Sequence, residues 1–351
     1  MQTKFSLCVV SILSTLCLSA NPSYNVTVLP LGPFSLPAIG EALSGNGMVA
    51  GQVNGQGFLW NGGPLVYVPT LGGSESPAFG INSSGVVTGW SLTSSPTEQA
   101  YSYSGGTTTS LAPLVGGLDS QGSAINNSGV IVGSMNYAPN NSEAFELSGT
   151  TVTYLGFLPG GINSVANAIS PSGLITGWAD DSSGNEVFIY STANGLVSIG
   201  SLGGPGGAGT AINDAGQVAG YSYVNGGTAQ HAFLYSGGAM HDLGTFGGTN
   251  SAAFGINAAG WVVGEADTNA GTDAFIYMNG VMYDLNSLLV NAPGIDLTDA
   301  VAINDNGQIL ANGPNGAYLL TATPEPSSLW LAFAGLLPVL ASVKRSRREK
   351  R

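Results

Sequence analysis

Basic residues are missing from most of this chain. No lysine or arginine occurs between residues 21 and 321, and the seven basic residues are Lys4, Lys344, Arg345, Arg347, Arg348, Lys350 and Arg351. Only Glu325 and Glu349 of the 20 acidic residues lie outside that segment, so 18 lie inside it. A segment without cations cannot neutralise phosphates, which excludes nucleic acid as a partner. Anionic lipids and anionic glycans are equally unfavourable partners unless a divalent cation bridges them to the protein.

Cysteine and histidine are also scarce. Cys8 and Cys17 precede residue 21, so the rest of the chain has neither thiol nor disulfide and depends on packing for stability. His231 and His241 are too few for a zinc site, and we interpret both as ordinary strand residues. No Gly-x-Ser-x-Gly frame marks a nucleophilic serine, and sialidase-type chemistry needs arginines, which are absent from residues 21–321. The sequence therefore indicates no catalytic residues and no bound cofactor other than the calcium considered below.

The two ends predict export. Lys4, an apolar run over 7–18 and the small residues Ser19-Ala20 predict a signal peptide over residues 1–20. Leu16 before Cys17 departs from the small residue that a lipoprotein signal carries there. A lipoprotein and a buried N-terminal helix are the alternatives.

The last thirty residues have three parts in a fixed order. A Pro-Glu-Pro sequence (324–326) precedes an apolar run (329–343) and a basic cluster (344–351). The apolar run is shorter than the roughly 20 residues of a stable membrane span, and the basic cluster would stay on the cytoplasmic side. The tail, 322–351, resembles the PEP-CTERM sorting signal of Gram-negative bacteria. That resemblance implies cleavage by an exosortase-type membrane enzyme; an ordinary tail anchor is the alternative.

Glycine, in contrast, is abundant, with 54 residues, and it punctuates a repeat. A polar turn of the form Asn/Ser-x-x-Gly recurs between apolar stretches. Its glycines are Gly47, Gly85, Gly129, Gly173, Gly216, Gly260 and Gly307, separated by 38, 44, 44, 43, 44 and 47 residues. Asn or Ser starts a type I turn and glycine supplies the left-handed residue, so each copy predicts a β-hairpin.

Two more strands follow each hairpin. An aromatic run such as Phe233-Leu234-Tyr235 predicts the third strand, and a stretch ending in a Leu-Gly-x-Leu-Gly-Gly pattern predicts the fourth. The last unit stops after its third strand, whereas residues 26–32 form a fourth strand without a unit. We therefore predict a seven-bladed β-propeller over 21–321, with four-stranded blades and the N-terminal strand completing the last blade. A β-solenoid is the alternative.

The repeats resemble the HAF family of extracellular repeats. The match is clearest at His231-Ala232-Phe233-Leu234-Tyr235 and at Ile256-Asn257, and it spans roughly residues 24–320. Only the fifth unit keeps the histidine. The resemblance implies an extracellular location and a repeat architecture.

Calcium is the one metal that the acidic segments predict. Glu265, Asp267, Asn269 and Asp273 alternate with other residues around a glycine, loosely like a calcium loop. The equivalent segment of the fourth unit carries Asp180, Asp181 and Glu186. Neither segment has the full Asp-x-Asp-x-Asp-Gly pattern, and solvated polar loops are the alternative.

The functional expectation is a non-enzymatic binding module for a neutral glycan or a protein. It would lie at the cell envelope or surface or be secreted, touching the membrane only through the C-terminal segment, whether that anchor is transient or retained. One alternative is an envelope glycosidase or lyase that uses paired acids in the central channel. Another is a structural matrix component cross-linked by calcium.

Overall fold

A computed structural model describes residues 22–33, 36–95 and 97–323. The predicted signal peptide and the Pro-Glu-Pro tail lie outside the described residues. Residues 25–321 form one compact unit. Within the described ranges, no helix is long and apolar enough to cross a membrane.

The described residues form seven antiparallel sheets of four strands each, which we call blades 1 to 7. Blade 1 contains β2 (Ile39–Leu43), β3 (Val49–Val53), β4 (Gln56–Trp60) and β5 (Val66–Tyr67). Blade 2 contains β6 (Ala78–Ile81), β7 (Val87–Leu92), β8 (Glu98–Ser104) and β9 (Thr107–Ser110). Blade 3 contains β10 (Ser120–Ile125), β11 (Ile131–Ala138), β12 (Asn141–Ser148) and β13 (Thr151–Tyr154). Blade 4 contains β14 (Ser164–Ile169), β15 (Ile175–Asp180), β16 (Asn185–Ser191) and β17 (Gly195–Gly200).

The remaining blades follow the same order. Blade 5 contains β18 (Gly203–Ile212), β19 (Val218–Val224), β20 (Gln230–Ser236) and β21 (Ala239–Gly244). Blade 6 contains β22 (Ser251–Ile256), β23 (Val262–Asp267), β24 (Thr272–Met278) and β25 (Val281–Asp284). Blade 7 contains β26 (Asp299–Ile303), β27 (Ile309–Gly313), β28 (Gly316–Ala322) and β1 (Tyr24–Val28). A short helix α1 (Ala112–Val115) follows β9, and one 3-10 turn (Leu285–Leu288) follows β25.

Blade 7 confirms the predicted closure. Its strand order is β1-β28-β27-β26, so the N-terminal strand is the fourth strand of the blade that the C-terminal repeat begins. Just beyond β1, the Leu29 N–H donates to the Ala317 carbonyl over 3.0 Å. The chain thus forms a seven-bladed propeller, not a solenoid, and closure leaves no terminal repeat with an open sheet edge.

The predicted hairpin turns lie between the first two strands of every blade. All seven turn glycines have positive φ, from 70° at Gly216 to 96° at Gly173. In blade 5, Asn213 Oδ1 accepts hydrogen bonds from two backbone N–H groups of its own turn. Its Nδ2 donates to the Asn257 carbonyl of blade 6 over 3.0 Å. An equivalent bond joins blade 7 to blade 1, where Asn304 Nδ2 donates to the Ser44 carbonyl over 3.1 Å.

Packing between blades is dominated by the aromatic residue that the sequence places on each third strand. Six of these side chains are fully buried, namely Phe58, Tyr101, Phe145, Phe188, Phe233 and Phe275. Each lies over a glycine of the second strand; in blade 6 this is Gly264, where a Cβ would overlap the Ala252 carbonyl oxygen. Close strand packing of this kind requires glycine at that position.

The first strand of every blade contains a bulge at the same position. Register shifts there leave one extra residue in each inner strand. The seven extra residues are partly exposed: Glu41, Phe79, Ser123, Asn167, Thr210, Phe254 and Val301. A bulge re-aims a side chain. Two of these side chains bridge blades, since Asn167 Nδ2 donates to the Gly209 carbonyl and Thr210 Oγ1 to the Ala253 carbonyl.

Removing the closing strand tests how the ring is held. We expect deletion of residues 24–32 to lower the free energy of unfolding by at least about 3 kcal/mol, because β28 loses its partner strand. Chemical unfolding measures the loss, and a synthetic peptide of residues 22–33 added to the deletion variant should restore part of it. A deletion variant that unfolds like the parent would contradict this closure.

Candidate functional site

The antiparallel blades create two distinct faces. The turns between strands one and two and between three and four lie on one side, which we call the turn face. The connections between strands two and three and from one blade to the next lie on the other, the loop face. Loop-face connections differ greatly in length, from residues 201–202 before β18 to residues 285–298 before β26. The loop face therefore differs in connection length from one blade to the next.

The turn face encloses a cavity of about 260 Å³ at the channel mouth. Its walls combine aliphatic residues that end the first strands, such as Ile212 and Ile256, with polar residues of the turns, such as Asn213 and Asn304. Two carboxylates reach the rim, but both link neighbouring turns: Asp214 accepts from the Ser172 N–H and Asp305 from the Ala258 N–H, each over 2.8 Å. Burial acts to raise the pKa of Asp214, but hydrogen bonds from Ser172 and Ser170 outweigh burial and lower this pKa. The turn-face carboxylates thus serve to join blades.

The loop face carries an acidic cluster where blades 6, 7 and 1 meet. Burial raises the pKa of Glu41, a hydrogen bond from Gln52 opposes the rise, and the charge of Asp299 adds to it. Burial likewise raises the pKa of Glu265, with Asp299 and then Asp267 contributing. Asp299 is thus near both glutamates. Burial and the nearby carboxylate charge therefore favour the protonated form of both glutamates.

In blade 6 the predicted calcium ligands lie mostly on strands. Glu265 and Asp267 are in β23, Asp273 is in β24, and Asn269 lies in the loop between them. Asp273 pairs directly with Ala266, which places it on the sheet face opposite Glu265 and Asp267. Asp267 already accepts hydrogen bonds from Asn250 and Thr272.

In blade 4 each predicted ligand also has a partner. Asp180 accepts from the Ile162 and Asn163 N–H groups and from Asn163 Nδ2 over 2.6–2.8 Å. Asp181 accepts from Ser183 and Gly184 in its own loop, which lowers its pKa, and Glu186 accepts from the Ser198 hydroxyl. Across residues 22–33, 36–95 and 97–323, no three His, Cys, Asp or Glu side chains converge on a metal position. Calcium binding at either blade remains a prediction.

The two histidines lie on outer strands of blade 5. His231 is on β20 and His241 on β21. His231 Nδ1 lies 2.9 Å from Asp242 Oδ2, and the two side chains are 22% and 43% exposed. This pair bridges neighbouring strands at the outer edge of the blade, away from the channel-lining strand β18.

Between blades 4 and 5 the loop face contains a groove. One cavity of about 480 Å³ is bounded by residues 203–206 and by the loops at Ser183-Gly184 and Gly226-Gly227. An adjoining cavity of about 190 Å³ shares Pro205 and Gly206 with it and adds Trp178, Tyr221, Tyr223, Asn185 and Gln230. Glu186 is the charged residue of the combined lining. We call this the blade 4–5 groove.

The sequence analysis did not predict that a serine at the start of the first strand binds the preceding blade. Ser120 Oγ accepts from the Ala100 N–H of the preceding blade, and Ser164 Oγ likewise accepts from Ala144, each over 3.0 Å. Ser76 and Ser251 hold the same position in blades 2 and 6. Ser-x-Ala or Ser-x-Gly precedes the hairpin in blades 2, 3, 4 and 6, and this recurrence is the sequence signal for the position; blades 1 and 7 have Ala38 and Thr298 there. In blade 5, glycine at position 207 replaces this serine and lines the groove.

Comparison with known proteins identifies the architecture. No protein-family model and no curated protein matches the chain. The extracellular domain of a putative one-component system from B. thetaiotaomicron is 14% identical, with a TM-score of 0.54 over 85% of this chain and 40% of that one. Streptogramin B lyase is 12% identical, with a TM-score of 0.53 over 86% of this chain and 98% of that one. These similarities establish the fold.

Some of the similar structures are longer than this chain. TolB from Acinetobacter baumannii is 13% identical, with a TM-score of 0.45 over 85% of this chain and 66% of that one. The chain thus spans 66% of the TolB structure and 40% of the one-component-system domain. Identities this low say nothing about the ligand or reaction of this chain.

Stability should increase as the pH falls from 7 to about 5. Burial raises the folded-state pKa of six carboxyls, those of Glu41, Glu98, Glu143, Glu146, Glu265 and Asp273. The folded state therefore binds protons more tightly than the unfolded chain, so stability is greatest below the unfolded pKa and is lost as the pH rises through the folded one.

Calorimetry at several pH values measures this effect. We expect the melting temperature to rise by a few degrees, since about 1 kcal/mol shifts the midpoint of a domain this size by roughly 2–4 °C. The Glu41→Gln/Glu265→Gln double variant should show a flatter dependence. A melting temperature that falls between pH 7 and 5 would contradict the assignment.

Calcium binding has a separate test. If the segments around Asp267 and Asp181 bind calcium, millimolar calcium should raise the melting temperature relative to chelator, because a ligand that binds only the folded state stabilises it. Asp267→Asn should abolish the rise if blade 6 is responsible, and Asp181→Asn if blade 4 is. Equal melting temperatures in calcium and chelator would rule out both sites.

Proposed function

We propose that this protein is an exported propeller that acts as a recognition module for an uncharged glycan. The observation that carries the proposal is the loop face, where aromatic and amide side chains line a groove on a body without lysine or arginine. Pockets that bind small ligands combine apolar walls with a few polar groups in this way. The 18 acids of residues 21–321 disfavour anionic ligands.

Export is proposed from the two chain ends and from the resemblance to HAF repeats. The signal peptide would direct residues 21 onward across the membrane, and the Pro-Glu-Pro tail would bring an exosortase-type enzyme to the C-terminus. Mass spectrometry of the protein made in a Gram-negative host that contains such an enzyme should show Asn21 as the first residue and a C-terminus near Pro324. An intact tail on all recovered protein would instead favour a retained anchor.

A catalytic role is the second candidate, favoured by the raised pKa values of Glu41 and Glu265 beside Asp299. Paired carboxyls of this kind serve glycoside hydrolysis as acid and base or nucleophile. This reading predicts cleavage of a bound glycan and its loss in Glu41→Gln or Glu265→Gln. The binding module predicts that both variants bind as the parent does and that no product forms.

A protein partner is the third candidate, favoured by apolar side chains around blade 3. Leu118, Tyr137, Tyr154 and Ile162 are 41–57% exposed. The Tyr137 hydroxyl donates to the Ile162 carbonyl over 2.8 Å, and the Tyr154 hydroxyl donates to the Val115 carbonyl over 3.0 Å, so both rings are held in place. Fixed aromatic rings are common anchors at protein interfaces.

A glycan array probed with the full chain in a sugar-free zwitterionic detergent tests the proposed function. We expect binding to at least one uncharged glycan class and none to sulfated or uronic-acid glycans, with and without calcium. Product analysis of the bound class distinguishes binding from hydrolysis. Exclusive binding to anionic glycans, or to none, would overturn the proposal.

A further inference from the structure

We infer that the blade 4–5 groove is the glycan site and that an uncharged sugar ring stacks on Trp178 there. This inference rests on the proposed function and assigns it to one of the seven blade junctions. The groove is singled out because its walls combine three features: the partly exposed Trp178, an inner-strand entry built from glycine and proline, and polar groups of which Glu186 is the charged one.

Trp178 is the aromatic ring on the groove side. It follows Gly177 on β15 and pairs with Val187, which lies in one apolar cluster with Val218 of blade 5. Tyr221 and Tyr223 also contribute to the lining of the smaller cavity. Tyr221 pairs with Ala232, which clusters with Phe275 of blade 6, so both tyrosine side chains lie on the other face of blade 5. A partly exposed ring with a polar edge suits sugars, whose C–H faces are apolar and whose rims are polar.

Glycine and proline form the entry to the inner strand of blade 5 beside this ring. Between the pairs Gly203–Val224 and Gly207–Ser222, three residues of β18 form a bulge opposite the single residue Tyr223. Blade 2 has the corresponding pair Gly72–Thr93, but its entry carries Ser74, Glu75 and Ser76. In blade 5, Pro205 and Gly206 of the bulge form the wall that the two cavities share. A Cβ on Gly206 would lie only 2.9 Å from the Asn185 carbonyl oxygen, so a larger residue would close the groove.

Backbone exposed by these glycines offers hydrogen bonds to sugar hydroxyls. A peptide that added to this edge of β18 as another strand would find the ladder interrupted at the bulge. The bulge therefore favours a ligand that binds by stacking and scattered hydrogen bonds.

The polar groups of the groove favour an uncharged ligand. Asn185 and Gln230 supply amides, Ser183 a hydroxyl and Glu186 a carboxylate that the Ser198 hydroxyl contacts over 3.1 Å. Amide and hydroxyl groups both donate and accept, as sugar hydroxyls do. An anionic sugar would meet Glu186 with no cation in residues 21–321 to offset the repulsion. The larger cavity, about 480 Å³, falls in the range of about 300–1,000 Å³ that ligand pockets occupy.

Two pairs of variants test the site in the full chain. Trp178→Ala removes the stacking surface, and Trp90→Ala is its control, because Trp90 follows Gly89 at the equivalent position of blade 2. Gly227→Phe fills the groove from a loop that has room for a side chain, since a Cβ there meets nothing closer than 3.5 Å. Its control is Gly271→Phe in the corresponding loop of blade 6, where a Cβ has no neighbour within 4 Å.

The measurement is titration calorimetry with cellohexaose, maltohexaose and laminarihexaose, with oligogalacturonate as the anionic comparison. We expect the parent to bind at least one neutral hexasaccharide. Trp178→Ala and Gly227→Phe should weaken binding at least tenfold, with Trp90→Ala and Gly271→Phe within twofold of the parent. Gly227→Phe keeps the test decisive if Trp178→Ala fails to fold.

Other outcomes separate the two proposals. Parent binding that neither groove variant changes would overturn this site and leave the proposed function standing. Binding of none of the neutral hexasaccharides would overturn both. Binding of an uncharged peptide mixture that is lost in the groove variants, without any oligosaccharide binding, would assign the groove to a protein and overturn the glycan inference.

Discussion

The pairing of β1 with β28 is the interaction on which the rest of the structure depends. Each blade packs only against its two neighbours, so a ring left open in blade 7 would expose the aromatic packing of blade 7 and blade 1 together. The chain closes the ring by building blade 7 from its first strand and its last three strands. The bond from Leu29 to Ala317 and the bond from Asn304 to Ser44 then join opposite ends of the sequence. Closure also fixes the channel, and hence where the loop-face side chains meet.

A chain body without lysine or arginine must hold its carboxylates in another way. The contacts of Asp180, Asp214, Asp267 and Asp305 show how: each accepts hydrogen bonds from backbone N–H groups of a neighbouring loop or turn. An N–H donor stabilises a carboxylate without a countercharge. This arrangement makes the acids structural at most blade junctions. Glu265 instead has the like charges of Asp299 and Asp267 nearby, and Glu41 has a hydrogen bond from Gln52 together with the charge of Asp299.

Much of this architecture could be predicted from the sequence because it is local. A few neighbouring residues suffice to identify the Asn-x-x-Gly or Ser-x-x-Gly turns and the third-strand aromatics, and both recur seven times. The strand at residues 26–32 is recognised in the same way because no repeat unit precedes it. The candidate site could not be predicted in the same way. Trp178, Pro205 and Gln230 line one cavity although they come from three different strands, and only the inter-blade packing brings them together. Strand register likewise could not be predicted: Glu265 and Asp273 are close in sequence, but the pairing of the two strands places them on opposite faces of the sheet.

In a repeat protein, symmetry itself separates structural positions from functional ones. A feature that recurs in every blade, such as the turn glycine or the inner-strand bulge, is explained by the ring, because each junction faces the same packing problem. A feature confined to one junction has no such explanation. The serine at the start of the first strand is not such a constant, because blade 1 has Ala38, blade 5 Gly207 and blade 7 Thr298 at its position. The path of the chain into that strand does recur, since Gly72 pairs with Thr93 in blade 2 as Gly203 pairs with Val224 in blade 5. The residues on this path differ, because Pro205, Gly206 and Gly207 stand where blade 2 has Ser74, Glu75 and Ser76. The glycines and the proline line the groove beside Trp178. A backbone path shared by blades, with residues peculiar to one junction, is the pattern expected where binding, not folding, determines those residues.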